Sequence, residues 1–278
     1  MKRMILASLM LVFVAGICQA GPLLWRDPKT VGKGSFIIMA GFGFNKQTKT
    51  WNYTDETWDT LATAQQLQTI SSMFMLGYGL LKNFEVLSYI PVLKKDRDTL
   101  HSFGLGDVWF KAKYCVLNKK GLPTVAILAA TRIPVSDKNA KPLLDDHSLD
   151  FAFGAKMATP KKANFVGHLK FGYWLNGDTA DINLGDEIEA IAKVDYWFSK
   201  TAFFFLNAEM IQTFKSKDAT GAEIPNTDKR SLVFTPGLTI KPITGLTLRP
   251  KIGIPLLMTS QGGKLYPYSI GFDVWYIK

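Results

Sequence analysis

Apolar and polar residues alternate along most of this chain with a period of two. From Asp107 one set of alternate positions reads Asp107, Trp109, Lys111, Lys113, and the other reads Val108, Phe110, Ala112, Tyr114. A period of two belongs to a strand, whose successive side chains point to opposite faces. One face here is apolar and the other carries charge along its length. The pattern that organises Phe103–Val116 recurs in Leu122–Val135, Ser148–Ala158, Asn164–Asn176, Asp186–Phe198, Thr201–Phe214 and Gly245–Leu257. Apolar runs at Ser35–Asn45, Gln66–Leu80, Phe84–Leu93, Lys229–Lys241 and Tyr266–Ile277 bring the expectation to about twelve strands. Pro236 and Pro250 fall inside two of them, where a missing backbone donor predicts a bulge or local break.

The connections carry the next step. After the first strand, polar segments at Lys46–Gln65, Lys94–Ser102, Ser136–His147, Gly177–Gly185, Lys215–Asp228 and Met258–Leu265 alternate with short turns. Strands joined in this way are antiparallel, and all the short turns fall at one end. The fold expected is all-β, an antiparallel transmembrane barrel with short periplasmic turns and longer extracellular loops, in the outer membrane of a Gram-negative bacterium. Aromatic residues on the apolar face cluster near both ends. Tyr78, Tyr114, Tyr196 and Tyr276 lie at the short-turn end, and Phe44, Tyr173, Phe214 and Tyr266 at the loop end, as two interfacial girdles. A soluble β-sandwich, its apolar faces packed on each other, is the alternative.

If the barrel is right, Phe110, Phe153, Leu169, Val194, Leu206, Leu248 and Phe272 face lipid. The opposite set lines the lumen: Asp107, Lys111, Lys113, Arg132, Asp150, Lys156, His168, Lys170, Glu187, Glu189, Lys193, Glu209, Arg249 and Lys251, joined by Glu85, Asp195 and Asp273. The signs in this set balance, which places the basic excess elsewhere, notably in turn lysines such as Lys119, Lys120, Lys161 and Lys162. Folding the fourth strand onto the fifth brings Asp107 opposite Arg132 within about two residues of register. Such a pair near the outer mouth would narrow the path.

Residues 1–20 have the layout of a secretory signal peptide. Lys2 and Arg3 precede the apolar run Met4–Ile17, and Cys18-Gln19-Ala20 leads to Gly21. The domain layout is then a signal peptide over 1–20, an irregular periplasmic lead-in over 21–34 and a barrel over 35–278. The lead-in places Trp25 at the periplasmic mouth, either folded into the lumen or frayed. Cleavage leaves Cys115 as the one thiol, so no disulfide framework is expected, and a packed role suits that residue. Nucleic acid is excluded as a partner, since no basic cluster alternates with exposed aromatics.

The chemistry of an enzyme is not legible. Three histidines stand as candidates: His101, His147 and His168. In Asp146-His147-Ser148, neighbours on an extended strand point apart, so His147 cannot meet Ser148. Catalytic residues, metal ligands and cofactors are all expected to be none. Asp145-Asp146 and Asp186-Glu187 lack diagnostic calcium spacing.

Three stretches carry a family resemblance: Asp27-Pro-Lys-Thr-Val-Gly-Lys-Gly34, Leu81-Lys-Asn-Phe-Glu-Val86, and Gly104-Leu-Gly-Asp-Val108 running to Lys113-Tyr114. Together they resemble the outer-membrane transporter family labelled as the meta-pathway of phenol degradation. The resemblance implies a barrel that passes small, often aromatic or apolar compounds, and it supplies no catalytic residues. Its partners would be outer-membrane lipid, a small-molecule solute and the barrel-assembly machinery. Unlike barrels that end on an aromatic residue, this sequence follows Tyr276 with Ile277 and Lys278. The functional expectation is passive passage through a narrow charged lumen. A barrel-embedded lipid hydrolase and a structural or adhesive barrel with a closed lumen are the competing readings.

Overall fold

The computed structural model describes residues 27–179, 182–256, 264–265 and 268–278. The expected signal segment 1–20, Trp25 and Tyr266 lie outside them. Twelve strands build the wall: β1 Phe36–Lys46, β2 Gln68–Leu81, β3 Phe84–Arg97, β4 Val108–Leu117, β5 Thr124–Ile133, β6 Asp150–Ala158, β7 Phe165–Leu175, β8 Glu187–Trp197, β9 Ala202–Thr213, β10 Lys229–Ile243, β11 Leu246–Pro255 and β12 Ser269–Ile277. Each pairs antiparallel with its chain neighbours, and β12 closes on β1 from Ile37↔Ile277 to Asn45↔Ser269. Reciprocal bonds of 3.0 Å between Phe36 and Lys278 complete the seam. Closure removes sheet edges, so every strand can satisfy its backbone within the wall, as a bilayer demands.

The outward face is apolar. Phe110, Phe153, Leu169, Val194 and Leu206 are each about half accessible, while Leu248 and Phe272 are less exposed and alternate with Arg249 and Asp273. Tyr78, Tyr114, Tyr196 and Tyr276 are exposed at the short-turn end. The first three face a phenylalanine across the sheet: Phe36↔Tyr78, Phe84↔Tyr114 and Phe165↔Tyr196. An apolar belt edged by aromatics is the lipid-facing surface of an outer-membrane barrel.

Two segments expected to be irregular are ordered. Strand β3 does not end at Leu93; it runs to Arg97 and turns through Asp98 into Leu100–Leu105, which pairs back onto it. His101–Asp96 at 2.8 Å joins the two arms of this hairpin, and Lys94, on the same strand as Asp96, reaches it at 3.2 Å. Polar residues can extend a sheet here because the extension lies at the loop end, past the apolar belt. Within the loop after β1, Lys49–Asn52 pairs with Thr57–Thr60, and Trp51 meets Trp58 edge-on at 5.2 Å.

Pro236 and Pro250 do not interrupt β10 and β11, but they thin the ladder between them. The Lys241 N–H bonds Thr201 of the turn before β9, and the Leu256 N–H bonds Leu232 of β10. Counting by twos along the regular registers, both prolines direct their missing N–H at the β10–β11 seam. Paired positions there are correspondingly sparse, with Gly237↔Lys251 between Phe234↔Ile254 and Ile240↔Leu248.

The inner face is not purely charged. Met39, Met75, Leu87, Tyr89, Trp109, Leu128, Trp174 and Ile191 form a buried cluster inside the ring, and Val31 of the lead-in joins it. Trp109 and Trp174 meet edge-on at 4.8 Å. One side of the lumen is therefore packed.

Candidate functional site

The lead-in crosses the lumen as a strap. At one end it leaves the wall beside Gly79, where the Gly34 N–H bonds the Gly79 carbonyl at 2.8 Å and the Gly79 N–H bonds Ser35 at 2.9 Å. A side chain at Gly79 would run into the Gly32 carbonyl, and Gly34 takes φ +77°, so glycine is needed at both positions. The Val31 N–H donates to Glu85 Oε2 at 2.7 Å. Lys113 Nζ pairs with Glu85 Oε1 at 2.8 Å and donates to the carbonyls of Asp27 and Lys29 at 2.9 Å each. Both side chains of this pair are fully buried.

Across the lumen the strap meets the opposite wall. Asp27 Oδ1 lies 3.5 Å from His168 Nδ1 and 3.7 Å from Lys193 Nζ. His168 Nε2 and Lys193 Nζ contact Asp195 at 2.9 and 3.0 Å. Burial alone would raise the Asp27 carboxyl, but Lys193, His168, Lys170 and Arg249 hold it well below the usual carboxylate range. About half of its side-chain surface stays accessible, and that surface faces the lumen cavity.

A second cluster closes around Arg132 at the outer mouth. Its guanidinium stacks over Trp109 and Trp174, 5.4 and 5.0 Å from their centroids. It pairs closely with Asp150, donates to Asn176 Oδ1 at 3.1 Å, and lies 3.7 Å from Asp107 and 4.0 Å from Asp146. The position directly opposite Arg132 is Trp109, with Asp107 two residues on. Asp107 lies in the short break before β4. Burial, then a hydrogen bond with the Asp145 carboxyl, push it up to about 8. The Asp145 carboxyl moves the opposite way: burial would raise it, but hydrogen bonds from Asp107 and Ser136 lower it.

The remaining charged positions fall along the same inner surface. Asp107, Lys111, Lys113, Asp150, Lys156, His168, Lys170, Glu189, Lys193 and Glu209 are buried there, while Arg132, Glu187, Arg249 and Lys251 are half-buried. Lys111 covers the Tyr89 ring at 4.8 Å, Glu187 accepts from Thr213 at 3.2 Å, and Lys251 pairs with Asp273 at 2.6 Å. Sequence reasoning missed Asp27, Trp174 and Asn176. A lone acid in an aperiodic segment gives no pattern, and alternation puts Trp174 on the face of His168 and Lys170 without giving it a role.

Between the strap, strands β7–β12 and Ile37 and Met39 of β1 an open cavity of about 500 Å³ remains in the periplasmic half. Lys170, Lys193, Lys241, Arg249 and Lys251 line it together with Trp197, Phe203, Phe205 and Trp275.

His147 has the neighbours of a catalytic relay but not its geometry. Asp145 Oδ1 at 2.7 Å and Ser136 Oγ at 3.4 Å both approach Nδ1, whereas a relay uses the two ring nitrogens separately. Ser148 turns instead to Asp146 and Asp150, at 2.9 and 2.6 Å. Among the described residues no group of acidic, His or Cys side chains has the arrangement of a metal site.

The profile of the family described as "Putative MetA-pathway of phenol degradation" matches residues 27–254. No curated protein is similar to the chain in sequence. Among solved structures, the COG4313 outer membrane channel from Pseudomonas putida F1 is similar at TM-score 0.79, with 10% identity, 94% of this chain and 100% of that chain covered. The NanC porin is similar at TM-score 0.51, with 8% identity over 86% of this chain and 98% of that one. The translocator domain of the autotransporter NalP from Neisseria meningitidis reaches TM-score 0.50, with 11% identity over 91% and 90%. The fold is that of the bacterial outer-membrane channels and porins.

Proposed function

Because the chain belongs to the family described as the putative MetA-pathway of phenol degradation, we propose that it is an outer-membrane channel for small aromatic or apolar solutes, passed through a narrow charged lumen and controlled by the strap. The observation that carries this reading is the cavity. One side of the lumen is packed, yet about 500 Å³ stays open beside it, lined by rings and by paired and unpaired charges. A barrel whose only task is structural has no need for an aromatic-lined space behind a polar strap. The strap's ties are hydrogen bonds and ion pairs rather than packed side chains, with Val31 the exception, so displacing it requires exchange of polar contacts with water.

Passage in this scheme is diffusion. The Arg132 cluster narrows the outer mouth, the rings accept the solute's apolar body, and the strap limits escape to the periplasm. The other partners are outer-membrane lipid around the belt and the barrel-assembly machinery during insertion. The family's label and the fold of the Pseudomonas channel support this reading over the lipid hydrolase.

Planar-bilayer recording and liposome swelling with aromatic, sugar and amino-acid solutes test it. Small, well-resolved conductance steps and preferential swelling with aromatic solutes are expected. Deleting residues 22–33 should raise both conductance and solute flux. A barrel that inserts but passes no current, with or without that deletion, is a closed structural barrel.

A further inference from the structure

We infer that the periplasmic half of the lumen is a binding site for organic anions with an aromatic body, and that the Asp27 carboxylate occupies its anion position when no solute is present. This deepens the channel reading and rests on it.

The first observation is a column of alternating cations and rings. Lys241 lies 4.8 Å from the Trp197 centroid and 5.9 Å from that of Phe203. Lys193 follows between Phe203 and Phe205, at 5.7 and 5.6 Å. Arg249 comes next, between Phe205 at 5.1 Å and Trp275 at 4.4 Å. Each ring offers an apolar surface beside a positive charge, which is the chemistry an aromatic anion needs at both of its ends.

The second observation is the charge balance. Six basic residues line the cavity against three acids, Asp27, Asp195 and Asp273. Lys193 is matched by Asp195, and Lys251 by Asp273. Among the described residues no carboxylate lies within ion-pair distance, 4.0 Å, of Lys170, Lys241 or Arg249. The Arg249 guanidinium donates to Thr239 Oγ1 at 3.2 Å, a neutral partner. Positive charge gathered along a narrow lumen favours any anion that can enter.

The third observation shows a carboxylate already bound there. Asp27 reaches from the strap to within 3.5 Å of His168 and 3.7 Å of Lys193, and the cations around it favour the ionised form. A carboxylate supplied by the chain itself thus already sits at ion-pair distance from two of these side chains. A solute anion arriving from the outer side competes for the same charges, and its binding loosens one of the strap's ties. A cavity of this size holds a small ring system with a charged group.

Calorimetric titration of the full chain, folded in a non-ionic detergent, separates this from simple apolar binding. Three probes share a benzene ring: benzenesulfonate, benzyl alcohol and benzyltrimethylammonium, each corrected against empty micelles. Benzenesulfonate should bind at least about tenfold more tightly than benzyl alcohol, the size of one charge-assisted hydrogen bond, and the cation should bind more weakly than either. Arg249→Gln should weaken benzenesulfonate by about the same factor and leave benzyl alcohol unchanged. Asp27→Asn should strengthen benzenesulfonate binding, because it removes the internal competitor. Equal affinities, or a preference for the cation, overturn the site, and the unsubstituted chain alone decides that point if a variant fails to fold. Weaker or unchanged anion binding in Asp27→Asn overturns the stand-in role. A chain that conducts in bilayers but ranks the probes otherwise loses this site and keeps the channel. One that ranks them as stated but never conducts keeps the site and loses the channel.

Discussion

At the scale of single residues, the two faces of a strand make opposite demands. Phe153 and Lys156 lie on the same strand, one outward and about half accessible, the other inward and fully buried. Phe153→Lys should destabilise the folded barrel in bilayers by about 2–4 kcal/mol, the range for a cation at mid-bilayer. Lys156→Phe should be tolerated better, a difference that denaturant titration in lipid vesicles reads directly. Glu85 makes a different test, because it joins Lys113 to the Val31 N–H. Glu85→Ala strands a buried cation, a change that costs about 3–5 kcal/mol in other proteins. It should also expose the strap to added protease in the folded barrel. Some of this was legible beforehand. Alternation alone separates Phe153 from Lys156. The expected Asp107–Arg132 contact exists at 3.7 Å, but the closer partner is Asp150, across the β5–β6 pairing. A strand pattern ranks faces, and it does not rank which of several inward acids an arginine reaches.

At the scale of elements, two features respond to conditions. The β10–β11 seam lacks two donors, so Pro236→Ala should restore one ladder bond, worth about 1 kcal/mol. Its signature is slower amide exchange along that seam and a higher unfolding midpoint. The outer mouth responds to pH instead. The folded Asp107 carboxyl titrates near 8, far above an exposed aspartate. Between these two values the folded state holds a proton that the unfolded state has released, so this group's contribution to stability falls as pH rises through that window and is lost above about 8. Once ionised, Asp107 faces Asp145 as a like charge. The segment 134–147 should then become easier to cleave above pH 8, and Asp107→Asn should remove that dependence. Turn and strand spacing made the short hairpins legible. The extension of β3 to Arg97 was hidden, because the pair that crosses it, His101–Asp96, is polar and belongs to no apolar face.

At the scale of the whole molecule, the closed ring follows from the recurrence of one pattern and the alternation of long and short connections. What fills the ring does not follow from it. The buried cluster around Trp109 and Trp174, and the strap, both depend on residues far apart in sequence and aligned only once the wall has closed. The strap also sets an order of events in biogenesis. Residues 27–34 precede every strand, yet their seat is made by Glu85, Lys113, His168 and Lys193, from β3, β4, β7 and β8. No seat exists until those strands have docked. Seating of the strap is therefore expected to be a late step, after the cylinder has formed. Pulse-labelled protein should first acquire resistance to unfolding by heat, and only afterwards lose protease access to the strap from the periplasmic side.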